Sequence, residues 1–248
     1  MDNTPFFILG SVRSGTTLLR NTLRLHPRLE CPEETHFYRW SYPLGTKRYE
    51  NSYLGAKLFR QHRELDGVDH FDFFYQLKTC PDRKSLMDWY GQETLRIAGN
   101  TSGRWFDKTP QNVYGTLLLS ENYPSAKFIH IHRHPLNVVA SVLTGVVMPE
   151  GELRGGINYW NESMAILSQF KKLAPDRILE VGYESFVSAP WKGLKQIFEF
   201  IGEDYADFPI RSVKTHKEQN KYKAVLTDEQ VEEVLRRTQK YRELYNYR

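Results

Sequence analysis

A short loop near the start of the chain has the residue types and the spacing of a phosphate cradle. Residues 10–17 read Gly-Ser-Val-Arg-Ser-Gly-Thr-Thr, follow the apolar run 6–9 and open a helical pattern. Backbone N–H groups at the start of such a helix point at an anion, and the helix dipole adds a partial positive charge. Glycine-bearing turns also occur without ligands, but the order of strand, loop and helix favours a site that binds phosphate.

The same loop departs from the ATPase version at the residue after its second glycine. ATPase loops have a lysine there, which reaches the β- and γ-phosphates, and the next hydroxyl binds magnesium. This chain has Thr16 and Thr17 at the two positions, and Arg13 supplies a forked cation suited to phosphate or sulfate oxygens. The apolar run 127–132 leads into Arg133 and not into a magnesium-binding aspartate. We therefore predict a nucleotide held without a metal ion.

Four β-like runs and five helical patterns must position these residues. The runs cover 6–9, 104–106, 127–132 and 177–181, and the helical patterns cover 16–25, 137–147, 156–173, 191–201 and 227–241. Because helices separate the runs, a parallel sheet built by βαβ crossovers is the simplest architecture. The sequence therefore predicts an α/β fold of the P-loop-like, three-layer kind, in which helices flank a central parallel sheet.

Length and composition fit one domain over residues 1–248. Of the 248 residues, 40% are hydrophobic and 26% are charged, as in ordinary globular proteins, and we find no repeat or low-complexity tract. Between about residues 40 and 103 the chain is rich in aromatic residues and has helical periodicity. We interpret this segment as an insertion over the mouth of the sheet, where it either packs as helices or forms a lid over a substrate.

Charge, targeting signals and cysteines set further expectations. The net charge of +4 and the isoelectric point near 8.9 suit an anionic ligand, and we expect phosphate ligands but no nucleic acid. The start of the chain lacks a basic segment with a long apolar run, and no stretch is long and apolar enough to span a bilayer. We therefore expect a cytoplasmic protein with no membrane segment. Cys31 and Cys80 are too few for a secreted disulfide framework, so we expect reduced thiols.

Three alternating histidines, His130, His132 and His134, raise the possibility of a zinc site, since alternate residues of a strand share one face. No His-Glu-x-x-His or Cys-x-x-Cys motif accompanies them, and Arg133 lies between two of them. We therefore expect these side chains to pack or to support their neighbours by hydrogen bonds, and we predict no metal site.

The chain resembles, in pieces from Phe6 to about Leu226, the sulfotransferases that use 3′-phosphoadenosine-5′-phosphosulfate (PAPS). The run Arg-Ser-Gly-Thr-Thr-Leu-Leu-Arg at 13–20 is similar to their loop for the 5′-phosphosulfate. The resemblance therefore assigns five loop residues to the cofactor: Arg13, Ser14, Gly15, Thr16 and Thr17. A second family motif binds the 3′-phosphate through an arginine after a strand and a serine eight residues later, here Arg133 and Ser141. Such a guanidinium and hydroxyl can converge on one anion at the edge of a parallel sheet.

Within that family the resemblance is strongest to the tyrosylprotein sulfotransferases. The run Cys-Pro-Glu-Glu-Thr at 31–35 is similar to their Glu-Glu-Thr segment, whose second glutamate is the catalytic base, and this implies that Glu34 is the base. Lys108, in Asp-Lys-Thr-Pro, lies where the family has its sulfate-stabilising lysine. Tyr183 matches a tyrosine near the adenine, and Lys221 corresponds to a lysine that approaches the cofactor, although the serine before it is replaced.

The resemblance implies transfer of a sulfuryl group from PAPS to an acceptor hydroxyl, with adenosine 3′,5′-bisphosphate (PAP) as the product. Glu34 would take the hydroxyl proton, while Arg13 and Lys108 stabilise the transferred group. His36 is the rival base, because other sulfotransferase branches use histidine, and the sequence leaves this choice open. The segment between about residues 40 and 103, the candidate acceptor lid, matches no part of the family. A tyrosine, a carbohydrate and a small-molecule alcohol are therefore all open as acceptors.

Two other classes of function share part of this pattern. A magnesium-dependent kinase would have the same fold and a similar loop, but Thr16 replaces the lysine that it needs. A non-catalytic nucleotide-binding module would bind PAP without turnover of PAPS, and a candidate base together with a candidate lysine disfavours it. The sequence makes no prediction about the oligomeric state.

Overall fold

A parallel β-sheet forms the centre of the computed structural model, which describes residues 3–39, 42–145, 152–215 and 217–247. Within these ranges the sheet has five strands in the order β2-β3-β1-β4-β5. Their bounds are β1 Phe6–Leu9, β2 Leu29–Glu30, β3 Arg104–Lys108, β4 Phe128–His132 and β5 Ile178–Gly182. All neighbouring strands pair in parallel, with Phe6 opposite Phe106 and Phe7 opposite Phe128.

Helices connect the strands and cover the sheet. The described ranges contain α1 Thr16–Leu23, α2 Lys47–Leu54, α3 Lys57–Asp66, α4 His70–Thr79, α5 Arg83–Ile97, α6 Thr116–Asn122, α7 Pro135–Leu143, α8 Leu153–Leu173, α9 Tyr183–Ser188, α10 Pro190–Ile201 and α11 Asp228–Leu244. Side-chain N-caps stabilise the first turn of several helices, because Asp and Thr oxygens accept hydrogen bonds from its N–H groups. Asp69 caps α4, Asp82 caps α5, and Thr227 forms a capping box with Gln230 at α11.

Alternation along the strands separates two cores, one on each face of the sheet. On β1, Phe7 and Leu9 join the core that contains residues of α2–α6 and α8, whereas Phe6 and Ile8 join the core with α1, α9 and α10. Side chains at successive strand positions point to opposite faces, so an all-apolar strand is covered on both sides. The prediction of a three-layer α/β fold with a central parallel sheet is confirmed.

The described residues between β2 and β3 include the helices α2–α5, which belong to the buried cluster that contains Phe7 of β1. Phe73 of α4 and Leu86 of α5 belong to the same buried cluster as Phe7 and Trp105 of the sheet. Gly91 of α5 stands directly on Trp105, since a Cβ at this glycine would lie 2.3 Å from the indole. The segment is therefore packed on the sheet along α5 and not merely laid over its end.

The boundaries differ from the sequence prediction in a few places. The edge strand β2 was not predicted, because two residues are too short for a recognisable pattern. β3 continues two residues beyond Phe106, which places Asp107 and Lys108 within the strand. β5 begins at Ile178, since a 3₁₀ turn covers Pro175–Arg177. α7 begins at Pro135 and ends at Leu143, and the end of the predicted helix 137–147 lies outside the described residues.

Two expectations about the cysteines and about membrane segments can be compared with the structure. Cys31 is buried, Cys80 is partly buried, and neither forms a disulfide. Across the described ranges, no helix combines the length and the apolar character needed to cross a membrane. The cytoplasmic location stays a prediction.

Candidate active site

A cleft of about 330 Å³ opens at the carboxyl ends of β1, β3 and β4. Most of the site residues predicted from the sequence line it: Arg13, Gly15, Thr16, Thr17, Glu34, Lys108, Arg133, Ser141 and Tyr183. A larger neighbouring cleft of about 980 Å³ shares Arg13, Arg133, Ser141 and Tyr183 with it and is also lined by Lys221. Ser14 is fully buried beneath the loop and lines neither cleft. Folding therefore brings together residues that are far apart in sequence.

The loop before α1 lets the Tyr183 ring approach its backbone closely and leaves N–H groups of the helix without a side-chain cap. Gly15 has φ 95°, a left-handed conformation, and a Cβ there would lie 2.3 Å from the Tyr183 ring. No side chain caps the first turn of α1, so its N–H groups keep their capacity to bind an anion. Within the described ranges, the buried Oγ of Ser14 has no hydrogen-bond partner. A buried polar atom of this kind calls for a partner, and an anion bound in the loop would supply one.

Arg13, Ser141 and Arg133 meet at one end of the cleft. Arg13 Nε donates to Ser141 Oγ at 3.0 Å, and Arg133 Nη1 donates to the Arg13 carbonyl oxygen at 3.4 Å. The Arg133 guanidinium also lies 4.3 Å from the centre of the Tyr183 ring. Arg13 has φ 66°, which is uncommon for a residue with a side chain and typical of functional loops. In this arrangement the Arg13 side chain is bound to Ser141 and its carbonyl oxygen to Arg133.

A carboxylate that the sequence analysis missed is bound to Arg133. Glu218 Oε2 accepts from Arg133 Nε at 2.7 Å and from Nη2 at 2.5 Å. Glu218 belongs to the segment that leads into the 3₁₀ turn Lys221–Ala224, where the predicted Lys221 lies. No short motif marks such a residue, because its contact with Arg133 spans 85 positions of sequence.

Lys108 and Glu34 form an ion pair at the opposite end of the cleft. Lys108 Nζ lies 2.5 Å from Glu34 Oε1 and donates to Thr17 Oγ1 at 3.4 Å. The Lys108 side chain is 1% exposed and that of Glu34 is 22% exposed, so the carboxylate is the member of the pair that solvent and a substrate reach. The predicted base, the predicted lysine and the first helix after the loop are thus in direct contact.

Asp107, at the end of β3, organises the loop that carries Glu34. Its carboxylate accepts from Thr35 Oγ1 at 2.7 Å, from Thr109 Oγ1 at 3.1 Å and from Asn112 Nδ2 at 3.1 Å. Thr109 Oγ1 in turn accepts from the Thr35 backbone N–H at 2.9 Å. Burial raises the pKa of Asp107 to about 6, and the hydrogen bonds to the carboxylate oppose this rise. The Asp-Lys-Thr-Pro run gave no signal for this supporting role.

His36 lies behind Glu34 and away from the cleft. Its side chain is completely buried, its Nε2 lies 3.5 Å from Glu34 Oε2, and its ring packs on Phe59 with centroids 4.5 Å apart. Burial lowers the pKa of His36 well below the ordinary value, which favours the neutral ring. The residue does not line either cleft described above.

Helix α3 contributes cleft residues that no sequence motif indicated. Leu58 and His62 line the smaller cleft beside Glu34, and His62 Nδ1 lies 3.1 Å from the Glu34 carbonyl oxygen. Gln111, from the turn after β3, also lines this cleft. The aromatic-rich composition of the insertion was the only available signal, and it did not single out these positions.

The alternating histidines of β4 have packing and supporting contacts. His130 is fully buried, and His132 Nδ1 lies 2.7 Å from the Tyr247 hydroxyl oxygen. Burial lowers the pKa of His132 to about 3, so the ring is neutral. In the ranges that the structure describes, no three His, Cys, Asp or Glu residues are grouped as metal ligands.

Comparison with known proteins identifies the family. The profile of the sulfotransferase family matches residues 5–207. Protein-tyrosine sulfotransferase 2 of Gallus gallus is 26% identical over 209 residues, which are 82% of this chain and 52% of the relative, so the chain spans about half the length of that relative. The sulfotransferase domain of the Synechococcus PCC 7002 olefin synthase superposes with a TM-score of 0.63 and 28% identity, over 81% of this chain and 74% of that one. Mouse sulfotransferase SULT7A1 complexed with PAP shares the fold, with a TM-score of 0.54 and 14% identity over 100% of this chain and 89% of that one. Because the profile covers most of the chain, this protein belongs to the sulfotransferase family.

Proposed function

We propose that the chain is a PAPS-dependent O-sulfotransferase that transfers a sulfuryl group to an acceptor hydroxyl. The observation that carries this proposal is the cleft in which the Lys108–Glu34 pair lies at one end and the Arg13–Ser141–Arg133 group at the other. Membership of the sulfotransferase family supports it, as do the protein-tyrosine sulfotransferase relative and the PAP complex of the mouse structure.

The residues present fit a nucleotide with two anionic ends. The loop before α1, with its left-handed Gly15 and the buried hydroxyl of Ser14, suits the 5′ end, assisted by the hydroxyls of Thr16 and Thr17. Arg133 and Ser141 suit the 3′-phosphate, and the Tyr183 ring beside them suits the adenosine. Lys221 lines the same cleft and adds a cation to it. The two anion sites thus differ in chemistry: backbone and hydroxyl donors at one, a guanidinium at the other.

PAPS supplies an activated sulfuryl group, which moves from the 5′-phosphate oxygen to the acceptor oxygen. Glu34 is the proposed base because its carboxylate lines the cleft, whereas the ring of His36 is buried behind it. Lys108 lies between Glu34 and Thr17, where its ammonium can neutralise charge on the transferred group and on the leaving oxygen. Arg13 is a second candidate for this task once its side chain leaves Ser141.

The proposal also covers the acceptor, the absence of a metal requirement and the cellular location. A tyrosine, a carbohydrate and a small-molecule alcohol all carry the required hydroxyl, and α3 with Leu58 and His62 is the wall of the cleft that such an acceptor would meet. We propose that transfer needs no metal ion, because lysine and arginine side chains supply the positive charge. A cytoplasmic location is proposed from the sequence alone.

The test combines binding with turnover. PAP should raise the melting temperature in the presence of EDTA, and ATP should raise it much less, since ATP has no 3′-phosphate. Labelled PAPS, incubated with panels of phenols, sugars and simple alcohols, should yield a labelled product. A shift seen only with ATP and magnesium would favour a kinase, and PAP binding without turnover on any acceptor would favour a non-catalytic nucleotide-binding module.

A further inference from the structure

The Glu218 carboxylate is paired with the guanidinium of Arg133, the residue proposed to bind the 3′-phosphate. Two nitrogens of the guanidinium, Nε and Nη2, donate to one carboxylate oxygen, Oε2, at 2.7 and 2.5 Å, and both side chains are largely shielded, with exposures of 14% for Arg133 and 12% for Glu218. These two nitrogens belong to the planar fork with which arginine binds carboxylates and phosphates. A phosphate on Arg133 would therefore have to replace this carboxylate.

The second oxygen of Glu218 has backbone partners. Oε1 accepts from the Gln219 N–H at 2.9 Å and from the Asn220 N–H at 3.3 Å, and Asn220 is in the left-handed conformation with φ 48°. A guanidinium fork together with two neighbouring N–H groups is the donor set that proteins use for phosphate. The carboxylate is thus bound in the way that a phosphate would be.

The remaining charges around this position are mostly positive. The cleft next to Arg133 is also lined by Arg13 and by three lysines of the same segment, Lys217, Lys221 and Lys223. If Glu218 moves away, the segment presents these lysines and the N–H groups of Gln219 and Asn220 without a competing carboxylate. A phosphate bound to Nε and Nη2 would take the place of the carboxylate, and two negative charges at this position would repel each other, so the phosphate and Glu218 compete.

We propose that Glu218 is an internal competitor of the 3′-phosphate and thereby sets the affinity of the site for nucleotides that carry this group. The inference rests on the proposed function, since it takes Arg133 as the 3′-phosphate ligand. Glu218 acts through Arg133 and is a positioning residue. Its effect depends on the 3′-phosphate: nucleotides that lack this group leave the Arg133–Glu218 pair intact and do not experience the competition.

The experiment compares two nucleotides on six proteins, wild type and five variants, by titration calorimetry. PAP carries the 3′-phosphate and adenosine 5′-monophosphate lacks it. Glu218→Gln keeps the shape of the side chain and removes its charge, and should tighten PAP binding about five- to tenfold, the equivalent of roughly 1–1.4 kcal/mol, while changing monophosphate binding less than about twofold. The double variant Arg133→Ala/Glu218→Gln should bind PAP no better than Arg133→Ala alone.

Glu93→Gln is the control, because Glu93 also accepts from Nε and Nη2 of an arginine, Arg96 on α5, and lies outside both clefts. It should leave both affinities unchanged. Glu218→Ala serves as a second variant in case the glutamine hydrogen-bonds to Arg133, and it should tighten PAP binding in the same way. Unchanged or weaker PAP binding in both Glu218 variants, or an equal gain for both nucleotides, would overturn the inference. Failure of the wild-type protein to bind PAP would overturn the proposed function itself, and the inference with it.

Discussion

Lys108 and Arg133, the cations at the two ends of the cleft, each bind a carboxylate, Glu34 and Glu218 respectively. These pairs keep charged side chains in place in a partly buried cleft, where an unpaired charge is costly. A substitution of one member therefore also alters its partner. The residue-scale experiments must separate an effect on chemistry from an effect on the remaining charge.

The first residue-scale prediction concerns the proposed base, Glu34. Glu34→Gln should lower turnover of labelled PAPS by roughly 10²- to 10⁴-fold, because a positioned base contributes about that much. PAP affinity, measured by calorimetry, should stay within a few fold of wild type, since the lost interaction belongs to the transition state. His36→Asn should retain most of the activity, because the buried ring does not reach the cleft. Near-wild-type turnover of Glu34→Gln with a folded but inactive His36→Asn would transfer the role to the histidine.

The proposed 3′-phosphate site gives the second residue-scale prediction. Arg133→Ala should weaken PAP binding by roughly 1.5–3 kcal/mol, the range for a hydrogen bond to a charged group. Ser141→Ala should cost less, because a neutral hydroxyl donates only one bond and Arg13 remains next to it. Calorimetry on variants with wild-type circular dichroism measures both. Equal affinity of Arg133→Ala and wild type would show that the arginine only supports the loop through the Arg13 carbonyl oxygen.

At the scale of elements, the end of β3 couples the sheet to the loop that carries Glu34. Asp107 binds Thr35 and Thr109, and Asn112 Oδ1 accepts from the Tyr38 N–H at 3.1 Å. A buried carboxylate with three donors is satisfied by hydrogen bonds, yet it still pays for desolvation. The free energy of unfolding therefore depends on whether the Asp107 carboxyl is ionised.

A pH-dependent stability follows from Asp107. Its pKa is raised to about 6 in the folded chain, against about 3.9 in the unfolded chain, so the folded state binds the proton more tightly. The contribution of Asp107 to the free energy of unfolding is fully present below about pH 4 and is lost as the pH rises through about 6. Relative to Asp107→Asn, which cannot ionise, the wild-type protein should lose up to about 3 kcal/mol between about pH 4 and pH 7.

Urea denaturation at several pH values measures this difference. Asp69→Asn is the control, because hydrogen bonds from the Asp72 and Phe71 N–H groups lower the pKa of Asp69. The stabilisation from Asp69 is lost only as the pH falls below about 4, so the difference between wild type and Asp69→Asn should be constant from about pH 5 to pH 7. A constant difference for Asp107→Asn over the same range would contradict the raised pKa.

The arrangement of strands and helices explains which cleft residues could be predicted from the sequence and which could not. The position of the loop 10–17 between a strand and a helix was predictable from local pattern, whereas Arg133 and Ser141 were found by resemblance. Lys108 was found by resemblance, but its contacts depend on β3 lying next to β1 in the sheet. Glu218 and the α3 residues have no local pattern, since only long-range packing brings them to the cleft.

At the scale of the whole molecule, the helices α2–α5 share one buried core with the sheet. Phe73, in α4, is 1% exposed and contacts the Phe37, Tyr53 and Tyr90 rings within a cluster that extends to Phe7 of β1. A segment joined to the sheet in this way should unfold together with it. The acceptor-lid interpretation therefore refers to residues such as Leu58 and His62 at the cleft, and does not imply an independently folded flap.

Phe73→Ala tests this shared core. Removing a buried aromatic ring should lower the free energy of unfolding by about 3–5 kcal/mol, and the transition should remain single. Phe71→Ala on the same helix is the matched control, because Phe71 is 79% exposed and its loss should change stability by less than about 0.5 kcal/mol. Denaturant titrations followed by far-ultraviolet circular dichroism and by tryptophan fluorescence should coincide for all three proteins, since Trp89 lies beside Phe73 and Trp105 lies in the sheet. Separate transitions for the two signals in Phe73→Ala would mean that α2–α5 unfold on their own, and that this part of the molecule can open the cleft without unfolding the sheet.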